Sequence, residues 1–326
     1  MPLGERQLIS RILKLSDQLK PRGRKRQSTV VAGIGDDCAV LRVPGGAELL
    51  VTTDFSLEGV HFRRDWHSPQ FIGHRCLTRG LSDIAAMGGI PIAAFLSLAL
   101  PSGVSQRWVD GFFEGLLQLA KGFNVPLAGG DTTQSADKIL ADIVVLGSVP
   151  KGKAILRSGA RVGDQIYVTG ELGGAAADLA NLVLRNASTI RRRKTAWPQP
   201  RINVGRILRE RGIATAMIDI SDGLSTDLAH ICHESGVGAE VWEGAIPRAT
   251  LNRCRVGMQF ALHGGDAYEL LFTAPEGKRF QESISGVPIT PIGVIVRGKT
   301  ISLLRADGSR QPLPAQGWEH PRAAPT

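Results

Sequence analysis

Aspartates recur in six short segments of this chain, most of them at glycine-rich turns that follow β-like runs. They are Asp36-Asp37, Asp54, Asp83, Asp131, the pair Asp219 and Asp222, and Asp266. A glycine lets the backbone approach a ligand closely, and carboxylate oxygens are preferred ligands of Mg²⁺. Thr52, Thr53 and Ser221 offer further oxygen donors. The pattern predicts one site, assembled from distant segments, that binds Mg²⁺ together with polyphosphate.

A structural interpretation competes with this one at every single turn. Aspartate is common in glycine-rich turns because its side chain hydrogen-bonds the local backbone and tolerates unusual dihedral angles. The set as a whole is harder to explain in that way. Asp36-Asp37 and the pair Asp219 and Asp222 place like charges close together. That proximity costs energy unless a cation is shared, so the pairs favour a metal site.

The familiar phosphate-binding and nucleophile motifs do not occur in the sequence. It has no GxxxxGK[ST] loop, no GxGxxG and no nucleophile elbow. Phosphoryl transfer requires alignment and charge neutralisation more than covalent catalysis, and metal ions supply both. An acceptor that is itself a phosphate monoester is already anionic at neutral pH and needs no general base. The residues therefore indicate metal-assisted phosphoryl transfer.

Length and composition favour a compact protein of two domains. The chain has 326 residues, of which 43% are hydrophobic, and we place the domain boundary at residues 150–153. No apolar run reaches the ~18 residues of a membrane span, so we expect a cytoplasmic protein with no membrane partner. The cysteines lack metal-ligand spacing, and we interpret them as reduced core or near-core thiols: Cys38, Cys76, Cys232 and Cys254.

The formal net charge of +9 is concentrated in two basic runs, residues 20–26 and 191–194. Both have poor hydrophobic periodicity, which is typical of solvated loops. Nucleic-acid binding usually combines basic residues with aromatic ones, and aromatic residues make up only 5% of this chain, so we consider a nucleic-acid partner unlikely. A third interpretation is that one loop folds over an anionic ligand.

Hydrophobic periodicity predicts where the acidic residues lie. It predicts an opening helix over 5–19, a strand that ends at Asp54, and a helix from Ser68-Pro69 that carries Asp83 in its last turn. The helix dipole disfavours a carboxylate near a helix C-terminus unless a cation compensates its charge. Asp131 is predicted in a glycine turn, and Asp219 and Asp222 at a strand-to-helix corner. Residues 291–296 and 299–304 are predicted to form a closing hairpin.

Several motifs, in this order and spacing, resemble those of the thiamine-monophosphate kinase family in the aminoimidazole ribonucleotide synthetase superfamily. They are GIGDDCAV, TTDFSLEGVHF, LSDIAAMGG, LAGGDTT, RSGARVGD, YVTG, IDISDGLSTDL and GGDAYELLFT. The resemblance implies a two-domain, mixed α/β fold. Domain 1–150 would contain a mixed sheet with flanking helices, bind ATP and Mg²⁺, and form a homodimer. Domain 151–326 would be an α/β domain that closes over the active site.

The resemblance also implies an activity, the ATP- and Mg²⁺-dependent phosphorylation of thiamine monophosphate to thiamine diphosphate. The expected metal ligands are Asp37, Thr52, Thr53, Asp54, Asp83, Asp131, Asp219 and Asp222. Among these, Asp83, Asp131 and Asp222 would also be catalytic. Residues expected at ATP are Gly130, Asp131, Arg157 and Ser221. Residues expected at thiamine monophosphate are His61, Asp266 and Trp318, whose aromatic face suits a cationic thiazolium ring.

One block departs from the family pattern. The family usually has Gly-Gly-Glu-Asp-Tyr-Glu-Leu where this chain has Gly-Gly-Asp-Ala-Tyr-Glu-Leu, so the acid expected at the substrate is one methylene shorter, at Asp266. Three alternatives compete with this family. Selenophosphate synthetase needs a reactive cysteine or selenocysteine near the N-terminus, whereas the first cysteine here is Cys38. The hydrogenase-maturation dehydratase needs a C-terminal cysteine, whereas this chain ends in Pro-Arg-Ala-Ala-Pro-Thr, so both are disfavoured. The third is a member of the superfamily that binds nucleotide or nucleic acid without turnover.

Overall fold

The computed structural model describes residues 11–12, 14–15, 30–32, 40–184 and 197–318. Within them the chain forms two compact units. The N-terminal unit comprises Met1–Ile84 and Gly89–Lys153, and the C-terminal unit comprises Ala85–Gly88 and Ala154–Thr326. Residues 11–12 and 14–15 are helical. The rest of the predicted opening helix, both basic runs, Asp37 and Cys38 lie outside the described residues.

The described part of the N-terminal unit contains a four-stranded mixed sheet, two long helices and a small antiparallel strand pair, besides the helical residues 11–12 and 14–15. Its elements are β1 (Val30–Ala32), β2 (Val40–Leu41), β3 (Ala47–Leu57), α1 (Pro69–Ala86), β4 (Ile90–Leu100), α2 (Gln106–Phe123), β5 (Leu127–Gln134) and β6 (Leu140–Pro150). The strand order is β3-β6-β4-β5, with β4 and β5 parallel and the other neighbours antiparallel. The strand pair is β1 with β2.

Local sequence signals explain where the two helices begin and end. Ser68 precedes Pro69, and its Oγ accepts the Phe71 N–H at 3.2 Å, as the sequence predicted. The Ser105 Oγ accepts the Trp108 N–H at 3.2 Å at the start of α2. Asn124, at φ 56°, ends α2 in the left-handed conformation. These caps fix which residues of α1 lie over the sheet.

The two faces of this sheet differ in their surroundings. On the inner face α1 packs over β3 and β6, where a Cβ on Gly80 would lie 2.6 Å from Val145 and 3.6 Å from the Thr52 methyl. On the outer face of β3 the side chains of Leu49, Val51 and Phe55 are 45%, 62% and 57% exposed. Because successive strand residues point to opposite faces, Thr52 and Asp54 lie on the inner face and Thr53 on the outer one.

The C-terminal unit is built on a larger, mainly antiparallel sheet. Its elements are β7 (Gln165–Thr169), α3 (Gly174–Leu184), α4 (Ile202–Glu210), β8 (Ala216–Asp219), α5 (Leu224–Ser235), β9 (Gly238–Trp242), β10 (Thr250–Leu251), β11 (Cys254–Arg255), α6 (Met258–His263), β12 (Leu270–Ala274), β13 (Ser283–Ile284), β14 (Val287–Val296), β15 (Ile301–Leu304) and β16 (Arg310–Pro312). The strand order is β16-β15-β9-β14-β7-β12-β8, and β13 pairs with β14. Its hydrophobic core consists of buried sheet residues that pack against residues of α5 and α6.

Two sequence predictions in this unit were wrong. The predicted hairpin of 291–296 and 299–304 does not form, because β9 lies between β14 and β15, antiparallel to the first and parallel to the second. The connection crosses the end of β9, where Ala239 N–H donates to the Thr300 carbonyl at 3.1 Å. Cys254 is exposed in the short β10–β11 pair rather than in a core. Cys76 and Cys232 are buried, as predicted.

Among the described helices, none combines the length and the apolar composition that crossing a bilayer requires.

Candidate active site

The first group of predicted ligands lies on the inner face of the N-terminal sheet. Thr52 and Asp54 belong to β3, and Asp83 belongs to the last turn of α1. The prediction that the strand ends at Asp54 was wrong. β6 is as long as β3, so the pairing continues past the Asp54–Ile143 pair to the end of β3. Asp54 is therefore held in the middle of a strand, where its position is fixed by the register.

The three side chains of this inner acidic group (Thr52, Asp54 and Asp83) are close together. The Thr52 hydroxyl donates to the Asp83 carboxylate. Burial, followed by the charge of Asp83, raises the pKa of Asp54 to about 7, and a hydrogen bond to Asp83 acts in the same direction. Arg79 lowers this pKa only in part. Crowded, half-buried oxygen donors of like charge are the donor set that a hard divalent cation neutralises.

A second group lies on the outer face of the same sheet. The Thr53 hydroxyl donates to Asp142 Oδ1 at 2.7 Å. Directly opposite residues on neighbouring strands point to the same face of a sheet. Asp142 lies in one such row across four strands, which consists of Phe55, Asp142, Ser97 and Asp131. The structure therefore separates Thr53 and Asp131 from the face that carries Thr52 and Asp54. Sequence reasoning missed Asp142, although a carboxylate within the apolar run of β6 was a visible signal.

Gly129-Gly130-Asp131 is not a turn, contrary to prediction, but part of β5. Gly130 has φ 148°, and a Cβ there would collide with the Leu96 carbonyl of the neighbouring parallel strand. Only glycine fits this conformation without strain, so the residue lets β5 pass close to β4. Asp131 follows directly, and its Oδ1 accepts the Thr132 N–H at 2.8 Å. The glycines thus keep Asp131 on a rigid strand.

His61 lies after β3 in a tight turn of the N-terminal unit. Its Nδ1 accepts the Leu57 N–H at 3.0 Å, which places the ring proton on Nε2 in the neutral form. Its carbonyl accepts from Arg75 at 3.0 Å. His61, Arg75 and Arg79 line a shallow cavity with Phe62 and Phe71, with a volume of only about 10 Å³. Its wall combines cationic and apolar side chains.

The C-terminal unit carries the strand-to-helix corner that the sequence predicted. β8 ends at Asp219, and α5 begins at Leu224. One carboxylate oxygen, Asp227 Oδ2, accepts three successive backbone N–H groups, those of Ser221 at 3.1 Å, Asp222 at 3.1 Å and Gly223 at 3.0 Å. These three bonds fix the corner that presents Ser221 and Asp222.

Asp227 and His230 extend the corner and were missed from the sequence. Burial, followed by the charge of Asp222, raises the pKa of Asp227 to about 7, although its backbone hydrogen bonds lower it. Ligand atoms of Asp222, Asp227 and His230 all lie within 4.8 Å of one another. The signal was available: Asp227 lies in the first turn of α5, and His230 follows three residues later on the same helix face.

The Gly264–Glu269 loop packs directly against this corner. Asp266 N–H donates to the Ser221 carbonyl at 2.8 Å, and Tyr268 N–H donates to the Ile220 carbonyl at 2.9 Å. Asp266 and Tyr268 adopt φ 62° and 52°, a conformation that costs energy for residues other than glycine. The buried Tyr268 hydroxyl donates to Asp266 Oδ1 at 2.8 Å and so holds that carboxylate in place.

Of the other predicted residues in this unit, Trp318 joins the corner and Arg157 does not. Trp318 N–H donates to the Asp222 carbonyl at 2.9 Å. The Arg157 carbonyl instead accepts from Ser235 at 3.0 Å, at the last residue of α5. A helix of 12 residues is roughly 18 Å long, so the backbone of Arg157 lies a helix length away from Asp222. The structure thus groups Ser221, Asp222, Asp266 and Trp318.

A buried ion pair between Arg201 and Glu269 stabilises the Gly264–Glu269 loop. Arg201 Nε donates to Glu269 Oε2 at 2.7 Å, and its NH2 group binds the other carboxylate oxygen. Thr169 donates to the same carboxylate at 2.5 Å. The Glu269 carbonyl accepts the Ile220 N–H at 2.7 Å. No signal in the sequence indicated that Arg201, 68 residues away, would pair with Glu269.

Family models match both halves of the chain. The model of the AIR synthase related protein N-terminal domain matches residues 35–149, and that of the C-terminal domain matches residues 161–303. The chain belongs to the AIR synthase related proteins, and the mixed α/β fold predicted for it is confirmed.

Individual relatives show to which family within this class the chain belongs. The thiamine-monophosphate kinase of Bacillus subtilis (strain 168) is 37% identical over 310 residues, which span 90% of this chain and 94% of that protein. The crystal structure of thiamine-monophosphate kinase from Stenotrophomonas maltophilia K279a superposes with a TM-score of 0.81 at 34% identity, over 95% of this chain and 99% of that one. The chain belongs to the thiamine-monophosphate kinase family, as its motifs predicted.

A third relative was solved with ligands. The structure described as AaThiL complexed with AMPPCP and TMP has a TM-score of 0.73 and 27% identity, over 98% of this chain and 99% of that chain.

Proposed function

We propose that this chain is a phosphotransferase that transfers the γ-phosphoryl group of ATP to thiamine monophosphate in the presence of Mg²⁺, giving thiamine diphosphate. The observation that carries the proposal is the nearly full-length similarity to a thiamine-monophosphate kinase, which spans 90% of this chain. The nucleotide analogue and TMP bound to the AaThiL relative support the same pair of substrates.

The inner acidic group is the best-supported metal site of the N-terminal unit. Thr52, Asp54 and Asp83 offer oxygen donors only, and burial together with the charge of Asp83 raises the pKa of Asp54. Bound Mg²⁺ would neutralise phosphate charge and help to align the transferred group. In this proposal the three residues hold the cation and Asp83 is catalytic. Asp131, Thr53 and Gly130 belong to the other face of the sheet or to the strand that carries it, and their roles in catalysis, metal binding and ATP binding rest on the family resemblance. The role of Asp37 remains a prediction.

The corner of the C-terminal unit supplies the remaining residues of the proposal. Asp219 and Asp222 would bind metal, and Ser221 would contact ATP on a backbone that Asp227 fixes. Asp266 and Trp318 would contact the thiamine portion, because a carboxylate and an aromatic face both attract a cationic thiazolium ring. No general base is assigned, because the acceptor phosphate is anionic at neutral pH.

The proposed roles of His61 and Arg157 rest on different kinds of observation. His61 would contact the phosphate of thiamine monophosphate, a role supported by its position beside the cationic side chains of Arg75 and Arg79. Arg157 would contact ATP, a role that rests on the family resemblance alone. The functional division of the chain into domains 1–150 and 151–326, and a cytoplasmic location, belong to the same proposal.

A homodimer is also part of the proposal. The outer face of the N-terminal sheet exposes Leu49, Val51 and Phe55 on an edge strand, a patch that water solvates poorly. A second copy of this face would bury the patch. The test is the molar mass in solution: light scattering of wild type should give twice the chain mass, and Val51→Glu should give the chain mass. A wild type that runs as a monomer would contradict this part.

The function is tested by an assay of ADP release with thiamine monophosphate, with free thiamine and with no acceptor. We expect Mg²⁺-dependent release with thiamine monophosphate only. Equal release in all three reactions would indicate an ATPase. Nucleotide binding without any release would favour the alternative of a member that binds without turnover.

A further inference from the structure

The last described segment of the chain, residues 313–318, lies across the corner at the start of α5, and we call it the C-terminal strap. Four backbone N–H groups attach it. They are Leu313 N–H to the Ile301 carbonyl at 2.9 Å, Gln316 N–H to Ser225 Oγ at 3.4 Å, Gly317 N–H to Thr226 Oγ1 at 2.9 Å and Trp318 N–H to the Asp222 carbonyl at 2.9 Å. The strap therefore bonds to the same backbone that presents Asp222.

Gly317 makes this contact possible. A Cβ at this position would collide with the Asp222 carbonyl oxygen and would lie 2.6 Å from Thr226 Oγ1. Real Cβ atoms do not approach other atoms so closely, so any larger residue must move either the strap or the corner. The corner is the more strongly held of the two, because Asp227 binds three of its amides. A side chain at residue 317 would therefore lift the strap.

Lifting the strap moves Trp318. Its indole is half exposed, while its backbone N–H is bonded to Asp222. The backbone position from which the ring projects thus depends on a short chain of contacts, from Thr226 to Gly317 to Trp318. The Thr226 hydroxyl holds the middle residue, and the missing side chain of Gly317 allows the approach.

We propose that Thr226 and Gly317 are positioning residues for thiamine monophosphate, which set the place of Trp318 by docking the C-terminal strap on the Asp222 carbonyl. The inference rests on the proposed function. It goes beyond it by assigning part of substrate specificity to two residues that contact no substrate. It also implies that the metal-binding corner and the thiamine contact of this unit share one backbone hydrogen bond.

The test compares two variants with matched controls. Gly317→Ala adds the colliding Cβ, and Thr226→Val replaces the hydroxyl that accepts the Gly317 N–H with a methyl group. Gly244→Ala and Thr290→Val are the controls, because Gly244 has no atom within 4 Å of an added Cβ and Thr290 is a half-buried threonine on β14. We expect each test variant to raise the KM for thiamine monophosphate about tenfold, with the KM for ATP and kcat changed less than about twofold. The controls should match wild type.

A double-mutant cycle separates positioning from general damage. Trp318→Ala should raise the KM for thiamine monophosphate at least as much as Gly317→Ala, and the double variant should match Trp318→Ala alone. Additive effects would overturn the proposal, because they would show that Gly317 acts through something other than Trp318. An unchanged KM in both test variants, with active wild type, would overturn it while leaving the proposed function intact.

Hydrogen exchange provides a readout independent of turnover. The peptide that covers the strap should exchange faster in Gly317→Ala and Thr226→Val than in wild type. Unchanged exchange in both variants would contradict the docking. Should wild type fail to phosphorylate thiamine monophosphate, the proposed function would fall and the substrate role of the strap with it, whereas the exchange data would still decide the docking.

Discussion

The inner acidic group of the N-terminal unit and the Asp222 corner of the C-terminal unit present carboxylates in different ways. In the first, Asp54 and Asp83 come from a regular strand and a regular helix, and their side chains face each other. In the second, the corner is irregular, and a buried carboxylate, Asp227, ties its amides together. In both groups burial and a neighbouring charge raise the pKa of one carboxyl group to about 7, but at the corner three backbone hydrogen bonds to Asp227 partly offset that rise and hold the backbone in place.

This difference predicts that substitutions will separate activity from stability. In the inner group, removal of a carboxylate should abolish activity and leave the fold intact. At the corner, removal of the organising carboxylate should reduce both.

The largest effect is expected for Asp83→Asn. The variant keeps the size of the side chain and loses the charge that would hold the cation, so kcat should fall by about 10³-fold or more. Asp137→Asn, an exposed aspartate in the turn before β6, is the control and should leave kcat unchanged. Steady-state rates at saturating Mg²⁺ and the far-UV circular dichroism spectrum are the measurements. Near-normal turnover by Asp83→Asn would contradict the assignment.

The next effect is expected for Asp227→Ala. Three buried or half-buried amides would lose their acceptor, so the free energy of unfolding should drop by about 3 kcal/mol, and kcat by about 10- to 100-fold. Asp227→Asn keeps an acceptor oxygen and should lose less of both. Denaturant unfolding and steady-state rates measure the two quantities. Equal loss of stability in the Asn and Ala variants would mean that the loss does not come from the three amides that Asp227 binds.

A smaller effect should appear in the pH dependence of the metal-free protein. The pKa of Asp54 is about 7 in the folded state against an ordinary value of 3.8, so the native state binds more protons between these values and stability falls as the pH rises through them. At pH 8, Asp54→Asn without metal should melt about 2–4 °C above wild type, equivalent to about 1 kcal/mol. At pH 4 the two should agree. Added Mg²⁺ should reverse the order at pH 8, and a variant less stable than wild type without metal would contradict the charge argument.

The smallest effect is expected for His230→Asn. Its ring lies near Asp222 and Asp227, but it is exposed, and a nitrogen donor adds little to the binding of Mg²⁺. We expect kcat/KM to change less than about twofold. A tenfold loss, or a shift in preference towards Zn²⁺, would show that the corner uses a nitrogen ligand and would sharpen the contrast with the all-oxygen inner group.

The elements and the site were unequally predictable from the sequence. Caps and glycine stops located α1 and α5, and the Asp219–Asp222 corner followed from β8 running into α5, because these signals are local. Strand pairing is not local. The sequence could not show that β6 extends β3 beyond Asp54, that β9 separates β14 from β15, or that Arg201 binds Glu269. Asp142 was missed because only the fold brings it near its partner Thr53, 89 residues away, whereas Asp227 binds amides four to six residues away, so its signal was local.

The most direct test of the account is the transfer of labelled γ-phosphate from ATP to thiamine monophosphate in a single turnover, by wild type, Asp83→Asn and Asp222→Asn. The account predicts labelled thiamine diphosphate from wild type with Mg²⁺, none without Mg²⁺, and at most a trace from either variant. Transfer at the wild-type rate by either variant, or no transfer by wild type, would contradict the proposal that Asp83 and Asp222 are each needed for phosphoryl transfer.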